Sequence, residues 1–128
     1  MKYYTEKIIK SDFDSAIAKT QEALKNEGFG VLSEIKINEK LKEKLGVDFR
    51  KYTILGACNP PLAHEALKTE NKIGTMLPCN VIVQEIGDNE VEVAAIDPFA
   101  SMQVVDNEEL SKIAKEVKEK LDTVIENL

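Results

Sequence analysis

The sequence predicts a two-layer α+β domain, a mainly antiparallel sheet of about five strands with two long helices on one face. Three observations point to it. Short segments rich in β-branched residues alternate with helical stripes, and the last two strand segments flank a turn signal, Gly87-Asp88-Asn89-Glu90. Two segments, one early and one at the end, carry apolar residues at helical spacing. The 128 residues, 43% hydrophobic and 31% charged, fit one globular domain spanning 1–128 that buries its own core without a disulfide or metal staple.

Tyr3 to Lys10 (YYTEKIIK) reads as the first strand. Ser11 offers an N-cap with Asp14 in the capping-box position, and Phe13, Ala16, Ile17, Thr20 and Leu24 follow on one helical face until Gly28. Gly30 to Ile37 is a second strand; Asn38 caps a short charged helix that ends at Gly46. Tyr52 to Ala57 is a third, largely buried strand, and Leu62 to Thr69 a short helix. Val81 to Ile86 and Val91 to Ile96 form a hairpin. Asp106 and Glu109 make a second capping box for a helix whose stripe runs from Leu110 through Ile113, Ala114, Val117 and Leu121 to Ile125.

Three segments break these patterns: Gly56 to His64 (GACNPPLAH), Leu77 to Val81 (LPCNV) and Ile96-Asp97-Pro98. They hold both cysteines, the only histidine and all four prolines, each at a strand end. Asn59 before Pro60 suits an N-cap, with Pro60 and Pro61 in the first turn, where backbone N–H groups have no intrahelical partner. Cys58 then precedes a helix N-terminus, whose dipole favours a thiolate. If Ile86 pairs with Val91, Asn80 faces Asp97 and Cys79 faces Pro98; a three-residue loop would shift this register by one. With the third and fourth strands antiparallel, Cys58 and Cys79 share one end of the sheet. The expectation is a polar pocket of Cys58, Asn59, His64, Cys79, Asn80 and Asp97, and the leading reading is a small-molecule or metal-ion binding module with its pocket at Cys58 and Cys79.

Each residue also has a plainer role. Free cysteines pack as small hydrophobes, Asn and Asp tie off backbone groups, and a lone histidine on a short helix commonly faces solvent. Cys58, Cys79 and His64, with Asp97, could ligate a metal, but no standard ligand spacing supports this. Cys58 could act as nucleophile or redox centre with His64 as acid/base, although His64 lies an axial rise of ~7.5 Å past the cap. A purely structural homodimer is the third reading. Cofactor and substrate stay open.

At these residues the chain resembles the domain-of-unknown-function 302 family: YTILGACNPPLAHEAL, LPCNVIV, AAIDP and the preceding KLGVDFRKY match its pattern over essentially the whole chain. The resemblance implies a TBP-like α+β fold and a tendency to form homodimers, and brings no activity.

Seventeen basic against 23 acidic residues, net −6, argue against a nucleic-acid or anionic-membrane surface. No apolar run nears the ~20 residues of a membrane span. The first fifteen residues hold no apolar block, which points to a cytoplasmic protein. In the expected register Val81, Val83, Ala94 and Ile96 share one sheet face, and Ile82, Ile86, Val91, Val93 and Ala95 the other. Helices cover one face; a second copy of the chain is expected on the other.

Overall fold

The computed structural model describes residues 2–128. Five strands, β1 (Tyr4–Lys10), β2 (Gly30–Lys36), β3 (Tyr52–Cys58), β4 (Cys79–Gly87) and β5 (Glu90–Ile96), form one sheet in the order β1-β5-β4-β3-β2. Every neighbouring pair is antiparallel. Helices α1 (Phe13–Asn26), α2 (Ile37–Leu45), α3 (Pro60–Thr69), α4 (Pro98–Ser101) and α5 (Glu108–Glu126) complete the fold, with a 3-10 turn at Asn71–Met76.

The α1 stripe buries Phe13, Ala16, Thr20, Ala23 and Leu24 against β4 and β5, because these positions recur at helical spacing on one side. Thr20 satisfies its hydroxyl by donating to the Ala16 carbonyl at 2.7 Å. Leu121, Val124 and Ile125 of α5 join the same core over Leu55, Val81, Val83, Val91 and Val93. Each fully buried Leu or Val contributes about 1.5–3 kcal/mol. The N-terminal half of α5 does something else: Leu110 and Ala114 pack with Ala66, Ile73 and Met102 in a second cluster. One helix thus bridges the sheet core and the α3 region.

The caps differ in detail from the sequence expectation. Asp12, not Ser11, caps α1, with Oδ1 accepting from the Ser15 N–H at 2.8 Å. Asn38 lies inside α2 and accepts from the Tyr52 N–H at 3.2 Å instead of capping. Asn107 rather than Asp106 caps α5. At α1 and α5 a neighbouring side chain has the same chemistry and geometry picks the winner, whereas α2 starts after Lys36 with no side-chain cap.

The hairpin register requires a larger correction. Asp88-Asn89 is a two-residue turn with Gly87 opposite Glu90, but Glu85, not Ile86, pairs with Val91. Ile86 is an extra residue on β4, a bulge that slips the rest of the ladder by one. Val81 then faces Ala95 and Val83 faces Val93. As a result Val81, Val83, Val91, Val93 and Ala95 all lie buried under the helices. Ile82 and Ala94 pair on the opposite, helix-free face, with Ile54 and Ile35 continuing the row.

Candidate functional site

At one end of the sheet, β3 turns into α3 and the chain returns through the 3-10 turn into β4. Ala57 pairs with Cys79 and Gly56 with Asn80, so both cysteines reach the same edge of the sheet. Asn59 sets the α3 entry: its Oδ1 accepts from the Leu62 N–H at 3.4 Å, and its Nδ2 donates to the Glu27 carbonyl at 3.3 Å. The latter bond ties α3 to the end of α1. Gly56 admits Pro78: a Cβ there would sit 2.8 Å from the Pro78 Cγ and would also collide with the Ser33 Oγ.

Between this corner and α5 lies a cavity of about 340 Å³. Cys58, Asn59 and Cys79 line it together with apolar side chains, among them Leu62 and Ala63 of α3 and Ile113 and Val117 of α5. Leu77 and Met102 also border it. Cys58 is half-buried and Cys79 buried, and neither is in a disulfide. Burial pushes the Cys79 thiol up to about 11, and the neighbouring Cys58 adds to the shift in the same direction. Cys79 is therefore a protonated thiol near neutral pH.

The structure brings together Cys58, Asn59 and Cys79, and leaves His64, Asn80 and Asp97 outside this cavity. The expected pocket is polar; the observed one is lined almost wholly by apolar groups. Strand alternation sends Asn80 to the face opposite Cys79, where it is exposed. His64 is exposed on α3, about 200° around the helix from Leu62, which faces the cavity. Asp97 caps α4 by accepting from the Ala100 N–H at 3.0 Å. Its Oδ2 lies 4.0 Å from the Lys118 Nζ, which is itself held at 2.6 Å by the Asp122 carboxylate. Among the described residues no three His, Cys, Asp or Glu side chains converge as metal ligands. The set Cys58, Cys79 and His64 is thus not assembled, and neither is a Cys58–His64 pair at the cavity.

Sequence reasoning missed the apolar lining. Ile113 and Val117 read as part of a stripe facing the sheet, yet that stripe turns from the sheet to the cavity along α5. The signal was the stripe's length: it extends farther than five strands of sheet need. No helix among the described residues is long and apolar enough to cross a membrane.

Comparison with known proteins agrees with this architecture. A crystal structure of an uncharacterized conserved protein DUF302 from Bacillus stearothermophilus superposes with a TM-score of 0.91 at 27% identity, covering 99% of this chain and 98% of that one. No curated protein matches. The family described as Domain of unknown function DUF302 matches residues 4–128, and the chain belongs to it.

Proposed function

We propose that the protein is a binding module for a small apolar molecule, held in the cavity between α3, α5 and the cysteine-bearing strand ends. The observation that carries this is the cavity itself: about 340 Å³, lined by apolar side chains, with Asn59 and the two thiols as its polar groups. Ligand pockets begin at about 300 Å³ and combine apolar walls with a few polar groups. An apolar cavity of about 150 Å³ holds one benzene, so this one, at about 340 Å³, suits a molecule of about two to three rings. The protonated state of Cys79 favours a neutral occupant over a cation.

The test is a fluorescence titration with N-phenyl-1-naphthylamine, a neutral two-ring-plus-phenyl probe. At about −0.3 kcal/mol per non-hydrogen atom it reaches a Kd of about 0.2 mM or tighter. Saturable 1:1 binding that Ala63→Phe weakens at least tenfold supports the reading. A linear, unsaturated response, or equal binding by Ala63→Phe, refutes it.

The proposal includes a homodimer through the helix-free sheet face. Ile35, Ile54, Ile82 and Ala94 run across that face, flanked by Gln84 and Glu92, which hydrogen-bond each other at 2.8 Å. An apolar row with a satisfied polar border has the composition of a protein interface.

A further inference from the structure

We infer that the cavity takes a single-chain amphiphile, with its hydrocarbon tail lying between α3 and α5, its polar head left in solvent, and Leu32 covering the tail where it emerges. This rests on the apolar-cavity reading and deepens it by naming the class of occupant. The lining residues set the shape. Leu62 and Leu67 mark the extent of the space on α3, and Leu110 and Val117 mark it on α5. With a rise of about 1.5 Å per residue, the α5 stretch alone runs for about 10 Å, so the cavity extends along the helices as a slot. In the proportion that gives one benzene about 150 Å³, its volume of about 340 Å³ holds a tail of about twelve carbons.

The interior offers nothing to a polar head. Asn59 spends its amide within the chain: Nδ2 donates to the Glu27 carbonyl and Oδ1 accepts from the Leu62 N–H. The Cys79 thiol is protonated and is a weak donor. A hydroxyl or charge carried inside would lose its water with no partner in exchange, so the occupant keeps that group outside.

Leu32 marks the place where the tail leaves. Val31 pairs with Ala57 and Ser33 with Gly56, so Leu32 is an extra residue in the edge strand β2. Strict alternation from Val31 would send Leu32 to the helix-free face. The bulge instead keeps it on the cavity side, where it lines the space while 69% exposed, ahead of Leu67 at 41%. A bulge also blunts an edge strand against pairing with another chain. That role asks nothing of the side chain, and a polar residue would serve it better than a leucine open to water. An emerging tail covers this leucine and removes its apolar surface from solvent.

The test is displacement of bound naphthylamine from the full-length protein by octyl, decyl and dodecyl maltoside, each kept below its micelle-forming concentration. The maltose head is too large for the cavity, so any displacement reports a tail inside and a head outside. Affinity should rise about tenfold for each two methylenes added, because each is buried in the slot. Leu32→Ser should lower dodecyl maltoside affinity about tenfold, and Leu32→Met, which keeps the apolar volume, should retain it. The exposure of Leu32 leaves the fold of both variants intact, which circular dichroism checks. Naphthylamine that dodecyl maltoside does not displace, equal affinities across the three chain lengths, or wild-type affinity in Leu32→Ser overturns the inference and leaves the cavity reading standing. A wild-type protein that takes up no naphthylamine removes the cavity reading, and this inference with it.

Discussion

Replacing Asn107 by alanine removes two interactions at once, because this side chain both caps α5 and fastens it to α3. Its Oδ1 accepts from the Leu110 N–H at 3.1 Å, and its Nδ2 donates to the Thr69 carbonyl at 3.1 Å. Loss of an Asn cap costs about 1 kcal/mol, and a neutral hydrogen bond between the helices contributes about 1 kcal/mol more. Asn107→Ala should therefore destabilise by about 2 kcal/mol. With a urea slope of about 2 kcal/mol/M, the midpoint falls by about 1 M. Asn107→Asp keeps the capping oxygen and loses only the donor, so it should cost about half as much. Asn127→Ala is the control: only the Asn127 backbone N–H bonds at the α5 end, and its removal should stay within about 0.5 kcal/mol. Urea denaturation followed by far-UV circular dichroism measures all three. A loss under 0.5 kcal/mol for Asn107→Ala, or equal losses for the alanine and aspartate variants, refutes the two-part role. Because α3 and α5 are the cavity walls, Asn107→Ala should also weaken naphthylamine binding.

Gly56→Ala forces a Cβ to 2.8 Å from the rigid Pro78 ring and should lower stability by about 1–3 kcal/mol, read as a reduced melting temperature. Cys79, 7% exposed, should resist iodoacetamide in native protein at pH 8 while half-buried Cys58 is alkylated; mass spectrometry showing equal labelling would contradict this. Because folding raises the Cys79 thiol from 9.0 to about 11, its contribution is complete below pH 9 and is lost as pH rises through about 11, so stability should decline over that window. The Ser15 N–H holds the Asp12 carboxyl below its ordinary value near 3.8. Its contribution is present above that value and fades as pH falls, and Asp12→Asn should flatten the acid limb of the stability curve. Ile82→Glu should yield a monomer by light scattering if a second copy covers the helix-free sheet face; a monomeric wild-type protein at micromolar concentration would end the dimer proposal.

Local chemistry in the sequence was enough to locate the strands, the two long helices and the corner where β3, α3 and β4 meet. Period-2 and period-3.6 patterns, the Asn59-Pro60-Pro61 entry and the stops at Gly28 and Gly46 act within a few residues, so they need no knowledge of the rest of the chain. What only the tertiary structure decided was which neighbour wins a shared role and which way each site residue turns. The Ile86 bulge is the clearest case: one unpaired residue moved Ala95 beneath the helices with Val81 and Val83, and left Ile82 beside Ala94 on the open face. Strand alternation separated Asn80 from Cys79, helical phase turned His64 outward, and the α4 cap occupied Asp97. The cavity depends on where α5 crosses α3, which hydrophobic spacing along either helix does not encode, because packing between distant segments is set by the shapes of both.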